Sequence, residues 1–474
     1  MSQISNVTVH KLGGSCLIDE KSFEKILTIV DNYKNGGLIL VASAMQGVTN
    51  QLIKFMQDCN THSIKPEDVI KELKDKHLKI AGEVIKDEAN LNLVSSFLSD
   101  LSTQLKEALT KIYDLCLINP QLTDQVIAFG ERFSTSILYY YLKSKGHPVR
   151  FFQADNLIIT DSNYTNALPK LDKTKKLIES QLIPVIKNGE IPVVTGFLAK
   201  SEDGFVTTLG RGGSDFTATL IAYSIVESFK QTKVILWKDV DGLLTANPKY
   251  VPNAKLIKNI SYREAKELAF FGSKIIHPMC LIPLEEKKIP MEIRNFSKPL
   301  SSDYTTFTTE RQVKRDIVKA LTAKEDVALI TVEGAAMVSL PGTAAKLFEI
   351  LGNNNINIIM ISQASSENNI TLVVDRADKD RSEAVLKASD FFGRRWIKIN
   401  AVNDVSLIAV VGAGMLNTPG IAARIFKSLA ERNINIIAIA QGSSEMNISL
   451  VIPRLDISKA LQAIHDEFKL SAPS

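Results

Sequence analysis

The second half of the chain contains an internal repeat whose two copies lie 78 residues apart (334 to 412). The copies share a glycine, a methionine, a Pro-Gly pair, an Ile-Asn-Ile-Ile stretch and a Gln-x-Ser-Ser-Glu stretch. In the first copy these begin at Gly334, Met337, Pro341, Ile356 and Gln363. Because chance would not keep one register over so many positions, the segment is a duplication. Each copy reads strand, Pro-Gly turn, helix, strand, Ser-Ser turn, strand and helix, which predicts two βαββαβ modules.

The first half has a different pattern, in which short apolar strands are followed by glycine turns and then by helices. The runs Gly37–Ala42 and Ile191–Thr195 are almost uniformly apolar, as is typical of strands buried on both faces of a parallel sheet. This alternation predicts a doubly wound, mostly parallel α/β sheet with ligands at the carboxyl ends of its strands. We therefore expect residues 1–300 to form the α/β domain, 301–322 a linker, 323–400 the first module and 401–474 the second. Strands can be exchanged between the two modules.

Composition narrows the partners and the location of the protein. A net charge of +4, from 56 basic and 52 acidic residues, gives no argument for nucleic acid. No apolar run approaches the ~20 residues that a membrane helix needs, and the N-terminus lacks the apolar core of a signal peptide. The four cysteines have no metal-ligand spacing, so we expect free thiols in a reducing cytoplasm and no metal site.

The stretch Gly210-Arg-Gly-Gly-Ser-Asp215 is the strongest candidate for chemistry. Its glycines permit positive φ and close backbone approach, and Ser214 or Asp215 can cap the helix that follows. The free N–H groups of a helix start bind anions, and Arg211 can hold an oxyanion with two donors. The same stretch would also serve as a tight loop that closes an ordinary strand–helix unit.

Three further motifs are weaker when each is taken alone. In Lys11-Leu-Gly-Gly-Ser15 the lysine precedes the glycines, so this is not the phosphate loop Gly-x-x-x-x-Gly-Lys-Ser/Thr; a surface lysine is the alternative. The two acids of Asp239-Val-Asp241-Gly suit a metal or sugar hydroxyls, but an Asp-Gly turn explains them equally well. Glu131 and Arg132 either form a surface pair or point into a site.

Taken in order, these motifs resemble the aspartokinases nearly from end to end. Lys11-Leu-Gly-Gly looks like the family motif Lys-Phe-Gly-Gly, and the segments 43–50, 129–134, 210–215, 239–242 and 271–278 match in order and spacing. The two repeats look like the paired ACT domains that sense end-product amino acids in this family. Each motif is weak by itself, whereas the ordered set with a duplicated tail is highly specific. The resemblance implies the amino acid kinase fold followed by two ACT domains.

The resemblance also implies a reaction. Aspartokinases transfer the γ-phosphoryl group of MgATP to the β-carboxylate of L-aspartate, the first step of lysine, threonine and methionine biosynthesis. The nucleophile is already an anion at pH 7, so the enzyme needs positioning and cationic stabilisation rather than a strong base. This accounts for a site with lysines, glycine N–H groups and no catalytic histidine. The implied cofactors are ATP and Mg²⁺.

The resemblance carries roles over to individual residues. The catalytic set comprises Lys11, Asp215 and Lys274. Aspartate would be held by Ser43, Thr49, Glu131, Arg211 and Ser214. The nucleotide and its phosphates would contact Gly13, Gly14, Ser15, Gly212, Gly213, Lys238, Asp239, Leu244 and Lys249.

The sequence departs from the family mainly along the nucleotide strand. Lys238 stands where the family usually has threonine or serine, Leu244 replaces a tyrosine, and Asn247-Pro-Lys249 replaces Asp-Pro-Arg. Leu12 replaces a phenylalanine that packs rather than reacts. These changes spare Lys11 and the other implied catalytic residues, so we interpret the chain as an active kinase. The alternatives are a kinase for glutamate, N-acetylglutamate or a nucleotide, and an effector-binding regulator with a degraded kinase domain.

The repeats imply regulation and self-association. A small amphoteric ligand could bind at the turn before each helix, or the repeats could serve as oligomerisation sheets, and both roles can coexist. The second copy is similar to threonine-responsive members, so we expect threonine rather than lysine as the inhibitor. The resemblance implies a homodimer or a dimer of dimers, and the end of the chain at Ser474 implies no fused homoserine dehydrogenase. The candidate effector residues are Met337, Pro341, Gly342, Asn357, Gln363, Met415, Pro419, Gly420, Asn435 and Gln441.

Overall fold

The structure is a computed structural model that describes residues 4–58, 64–116, 118–270, 275–309, 317–366, 368–394 and 396–471. The chain divides into two compact units. The described part of the first unit contains residues 4–243, 258–262 and 275–309. The second unit contains Leu244–Ile257, residues 263–270 and the described residues from 317 onward.

The strands of the first unit are short, and most of them follow the apolar runs of the sequence. They are β1 (Asn6–Leu12), β2 (Gly37–Ala42), β3 (Val149–Phe152), β4 (Ile159–Thr160), β5 (Ile191–Thr195), β6 (Leu198–Ser201), β7 (Val206–Thr208), β8 (Gln231–Lys238), β9 (Asn259–Ser261), β10 (Met291–Asn295) and β11 (Tyr304–Thr308).

The helices of this part of the chain connect those strands. They are α1 (Glu20–Tyr33), α2 (Val48–Asp58), α3 (Pro66–Val84), α4 (Glu88–Leu115), α5 (Pro120–Ile127), α6 (Phe129–Ser144), α7 (Leu171–Lys187), α8 (Gly213–Ile225), α9 (Tyr262–Phe270) and α10 (Leu281–Glu286). Polar side chains start several of them. Asp19 accepts a hydrogen bond from the Ser22 N–H at α1, and Asn119 accepts one from the Leu122 N–H at α5, where Pro120 is the first helical residue.

Among the described residues, eight strands of the first unit form one sheet in the order β3-β5-β2-β1-β8-β10-β11-β9. The first six strands in this order (β3, β5, β2, β1, β8 and β10) are parallel to one another, and β11 runs antiparallel to β10. Every residue of β2 is buried, as its uniformly apolar sequence predicts. The α/β class predicted from the alternation of strands, turns and helices is confirmed. Residues 304–308 of the expected linker form β11, which pairs with β10 and β9.

The second unit contains the two repeats. Its elements are β12 (Ala320–Glu333), α11 (Thr343–Asn353), β13 (Ile358–Gln363), β14 (Asn369–Asp375), α12 (Lys379–Lys387), β15 (Lys398–Val411), α13 (Ile421–Ala430), β16 (Ala438–Gln441), β17 (Asn447–Pro453) and α14 (Ile457–Glu467). The strands form an antiparallel sheet in the order β13-β14-β12-β15-β17-β16.

The two long central strands, β12 and β15, each contribute to both repeats. The core of the first repeat contains Ile330, Leu347 and Leu372 together with Ile397, which directly precedes β15. The core of the second repeat, built around residues such as Ile425, also contains residues 318 and 321, which belong to the end of the expected linker and precede the first module. Each repeat is therefore completed by chain that precedes or follows it in sequence.

The second repeat also packs against a segment that precedes both repeats in sequence. Ala246 and Val251 belong to its apolar core, and the Thr245 hydroxyl lies 3.0 Å from His465 Nε2. Residues 244–257 therefore belong to the second unit, although they continue from β8 of the first. In the part of the chain that the structure describes, no helix is both long and apolar enough to span a bilayer.

Candidate active site

The candidate site lies at the carboxyl ends of the central parallel strands of the first unit. Strand β1 has β2 on one side and β8 on the other, so the order of the strands reverses at this point. Leu12 pairs with Trp237 in the parallel ladder, which brings Lys11 and Lys238 to the same edge of the sheet. In open α/β sheets, ligands bind outside the strand ends at such a reversal.

Two lysines share one carboxylate at this edge. Lys11 Nζ lies 2.8 Å from Asp215 Oδ1, and Lys238 Nζ donates a hydrogen bond of 2.6 Å to Asp215 Oδ2. Asp215 lies in the first turn of α8, and its side chain is 5% exposed. The strand ends and the helix start therefore form one buried cluster of charged groups.

Lys11 and Asp215 stabilise each other's ionised forms. Burial by itself would raise the pKa of Asp215, but the ammonium groups of Lys11 and Lys238 outweigh burial and lower that pKa to about 2. Burial would also lower the pKa of Lys11, whereas the Asp215 carboxylate raises it above its ordinary value. With two ammonium groups and one carboxylate, the cluster has an excess of one positive charge and favours an anionic ligand.

The glycine turn before α8 depends on the absence of side chains. Gly212 has φ of +78°, and a Cβ there would lie 2.7 Å from His277 Cβ. A Cβ at Gly213 would lie 2.5 Å from the Phe197 ring. The Gly213 N–H donates to the Gly210 carbonyl at 3.0 Å, so this N–H, which we expected to face the phosphoryl group, already has a partner within the turn.

A second group of predicted residues meets where β2 and β5 end. The hydroxyls of Ser43 and Ser214 lie 3.0 Å apart, and the Ser134 hydroxyl donates to the Ser43 carbonyl at 2.7 Å. A Cβ at Gly130 would lie 3.7 Å from Thr49 Oγ1, so the first turn of α6 lies against the start of α2. The structure thus brings Ser43, Thr49, Glu131 and Ser214, four of the five residues expected to hold aspartate, together from three separate segments.

Glu131 is the most unusual residue of this group. It is 3% exposed, and its Oε2 atom has no hydrogen-bond partner among the described residues. Burial raises its pKa to about 8, although the Ala44 N–H and the positive charge of Lys11 oppose that rise. A buried carboxyl group with an unsatisfied oxygen is typical of a functional site, and a ligand ammonium would satisfy it.

The pair Glu131 and Arg132, which the sequence left open, separates in the structure. Arg132 is half-buried and its guanidinium donates to Asp155 Oδ2 at 2.8 Å, so Arg132 pairs with Asp155 and not with Glu131. Consecutive helical residues project in different directions, so a surface pair between these two neighbours was not the favoured arrangement.

Asp124 supports the site and was missed in the sequence. Its carboxylate accepts hydrogen bonds from the N–H groups of Thr165 and Thr208, at 2.8 Å and 3.0 Å, and from the Thr208 hydroxyl at 2.6 Å. It thereby holds the end of β7, from which the glycine turn begins. The signal for it was weak, because one acid in an amphipathic helix usually faces solvent.

The remaining predicted residues lie around the cluster or outside it. Arg211 and Asp239 are exposed, as is Ser15 in the turn after β1. Lys274 lies outside the described residues. Leu244 and Lys249 belong to the second unit, where Leu244 pairs with Leu256 and Lys249 Nζ donates to Glu325 Oε1 at 2.8 Å.

The candidate effector residues lie on equivalent turns of the two repeats. Gly342 and Gly420 are the N-cap residues directly before α11 and α13, with φ of +88° and +86°. In the first repeat, a cavity of about 290 Å³ is lined by side chains that include Met337, Pro341 and Gln363. Asn357, Asn435 and Gln441 are exposed, and Met415 is buried in the core of the second repeat.

The chain matches known families over most of its length. Residues 6–295 match the amino acid kinase family, and residues 330–389 and 408–468 match the ACT domain. The chain belongs to the amino acid kinase family.

Within that family the chain is similar to aspartokinases. It is 32% identical over 476 residues to the chloroplastic bifunctional aspartokinase/homoserine dehydrogenase 2 of Zea mays, a match that covers 98% of this chain and 51% of that protein. It is 28% identical over 471 residues to the chloroplastic aspartokinase 2 of Arabidopsis thaliana, covering 97% of this chain and 84% of that protein. The chain therefore spans about half the length of the bifunctional relatives it matches.

Solved structures share the fold along nearly the whole chain. Escherichia coli aspartokinase III in complex with aspartate and ADP, in the R-state, has a TM-score of 0.81 and 24% identity, covering 97% of this chain and 99% of that one. The same enzyme in complex with lysine and aspartate, in the T-state, has a TM-score of 0.77 and 25% identity, covering 98% of this chain and 99% of that one.

Proposed function

We propose that this chain is an aspartokinase, which transfers the γ-phosphoryl group of MgATP to the β-carboxylate of L-aspartate and forms 4-phospho-L-aspartate. One observation carries the proposal. The buried cluster of Lys11, Asp215 and Lys238 lies within electrostatic reach of a buried carboxyl group, Glu131, that has an unsatisfied oxygen. A substrate with an ammonium group and a nucleophilic carboxylate complements both features. The reaction would be the first step toward lysine, threonine and methionine.

Phosphoryl transfer to aspartate requires stabilisation of negative charge on the phosphoryl group rather than a general base. A carboxylate oxygen of aspartate forms a bond to the γ-phosphorus, the bond from that phosphorus to its bridging oxygen breaks, and the electron pair leaves on ADP. No proton needs to be transferred, because the nucleophile is ionised at neutral pH. Lys11 would hold the oxygens of the transferring group and reduce the repulsion between the two anions. Asp215 would fix the position of that ammonium.

The substrate amino acid would be oriented by groups at the ends of β2 and α6. Glu131 would receive its ammonium, because an ammonium satisfies the unpaired Oε2 and favours the ionised carboxylate. The hydroxyls of Ser43 and Ser214, 3.0 Å apart, would bind its polar groups. Arg211, which is exposed and has no ion-pair partner among the described residues, would hold a carboxylate with two donors.

The residues present also fit a nucleotide. The excess positive charge at the strand ends suits phosphate oxygens. Gly13, Gly14 and Lys238 would hold the phosphates, and the exposed carboxylate of Asp239 offers a hard oxygen to Mg²⁺. When bound, Mg²⁺ neutralises charge on the β- and γ-phosphates.

The reaction can be tested by following ADP release with and without L-aspartate in the presence of Mg²⁺. Trapping the product with hydroxylamine should give aspartyl hydroxamate in proportion to the ADP released. Glutamate and N-acetylglutamate serve as the matched controls, since each offers a carboxylate on a longer or blocked amino acid. Turnover with glutamate but none with aspartate would overturn the substrate assignment.

We further propose that an amino acid binds the repeats and inhibits the kinase, with threonine as the effector. The cavity of the first repeat, lined in part by Gln363, is large enough for a free amino acid. Threonine added to the assay should therefore inhibit at lower concentration than lysine. Gln363→Ala should raise the concentration for half-inhibition about 10-fold, as expected when a buried ligand loses one hydrogen bond. Stronger inhibition by lysine than by threonine would reverse the choice of effector.

A further inference from the structure

Lys238 is the residue of the cluster that the family resemblance does not explain. Aspartokinases usually carry threonine or serine at this position, whereas here a lysine ends β8. Its backbone is held on one side by the ladder with Asn295 of β10, and its carbonyl accepts a hydrogen bond of 2.8 Å from the Phe296 N–H. The side chain therefore starts from a rigid position and reaches Asp215.

The charge of the cluster depends on this lysine. Lys11 and Asp215 alone would be a neutral ion pair, and Lys238 adds one positive charge next to a carboxylate that is 5% exposed. An uncompensated charge at a largely buried position is costly unless a ligand neutralises it. The side chain of Lys238 is 18% exposed, so its ammonium is sheltered from water but still open to a ligand.

The hydrogen bonds leave donors available on Lys238. An ammonium group has three N–H donors, and the 2.6 Å bond to Asp215 Oδ2 uses one of them. Lys11 occupies the other carboxylate oxygen, Oδ1, at 2.8 Å. Asp215 thus holds two ammonium groups side by side, and each has N–H donors that pair with no other described residue and can reach the oxygens of a single phosphoryl group.

We propose that Lys238 is a second catalytic cation that contacts the terminal phosphate of the nucleotide together with Lys11. The inference rests on the proposed function and adds a specific role for a residue that is particular to this chain. Lys238 stabilises the negative charge on the γ-phosphoryl oxygens and on the bridging oxygen as the bond to ADP breaks. It makes the enzyme depend on the terminal phosphate more strongly than threonine or serine would.

The test compares Lys238→Thr and Lys238→Arg with Lys233→Thr as the matched control. Lys233 lies on the same strand and also forms an ion pair, 2.8 Å from Glu292 Oε1, but it lies at the opposite end of β8 from Lys238. Lys238→Thr should lower the kcat of aspartyl phosphate formation, measured as aspartyl hydroxamate, by about 10- to 100-fold. This is the usual effect of removing one preorganised donor or cation. The KM for aspartate should stay within about 3-fold, and Lys238→Arg should recover part of the lost kcat because it keeps the charge.

A purely structural role for Lys238 would give a different result. In that case Lys238→Thr would lower the melting temperature and leave kcat within twofold of the wild type, which would overturn the proposal. Calorimetric titration separates this outcome from a failure of the proposed function. Lys238→Thr should weaken binding of ATP about 10-fold and leave binding of AMP nearly unchanged, whether or not aspartate is the substrate. Equal losses for ATP and AMP would contradict contact with the terminal phosphate.

Discussion

Replacing Lys11 with alanine is expected to lower kcat by about 10²- to 10³-fold, because a preorganised cation that stabilises the transition state is lost. Lys11 lies at the end of β1 with its ammonium 2.8 Å from Asp215, so the sheet and this ion pair fix the position of its charge. The melting temperature should change little, since Lys238 still pairs with the buried Asp215 carboxylate. The steady-state rate of hydroxamate formation measures the change in kcat, and thermal unfolding of the same preparation measures the change in melting temperature.

The matched control for this experiment is Lys258→Ala. Lys258 forms an exposed ion pair with Asp303, and such pairs contribute little to stability. Its removal should leave both kcat and the melting temperature near the wild-type values. A Lys11→Ala enzyme with near-normal kcat would remove Lys11 from the mechanism.

Replacing Glu131 with glutamine is expected to raise the KM for aspartate about 100-fold while it stabilises the fold. The interaction expected to be lost is the contact of the buried Glu131 carboxylate with the substrate ammonium, and a glutamine amide offers no charge to replace it. In the wild type the affinity for aspartate should increase as pH rises through about 8, because that is the pKa to which burial raises Glu131. In the variant this pH dependence should be absent.

The stability effect follows from the same pKa. Glu131 favours the folded state fully only below its unfolded pKa of about 4.3, and that contribution is lost as pH rises through its folded pKa of about 8. Glu131→Gln should therefore gain about 1–3 kcal/mol at pH 8 and much less at pH 5. Melting temperatures at the two pH values measure the difference. A variant that is less stable than the wild type at pH 8 would contradict the raised pKa of Glu131.

The sequence predicted the general plan of the first unit because that plan depends on local patterns. Uniformly apolar runs such as Gly37–Ala42 became buried parallel strands, and glycine turns followed them. The residues singled out at the strand ends met at one edge, since carboxyl ends of parallel strands lie together. Lys11 and Asp215, which are 204 positions apart (11 to 215), are in contact for this reason.

Several features of the site depended on packing between distant segments, which no local pattern encodes. The role of Asp124 requires β7 to lie beside α5. The oxygen of Glu131 stays unpaired, whereas Arg132 forms its ion pair with Asp155. The placement of residues 244–257 in the second unit requires the core of the second repeat, to which Ala246 and Val251 belong. Lys249, which we expected to contact the nucleotide, forms a hydrogen bond with Glu325.

The sequence by itself determined the class of fold, the duplicated modules and the types of side chain at the strand ends, because periodicity, glycine turns and internal repeats are properties of the chain. Only the tertiary structure decided which charges became buried partners. It joined Lys238 to Asp215 and left Glu131 with a raised pKa, because desolvation and pairing arise only when distant segments exclude water together.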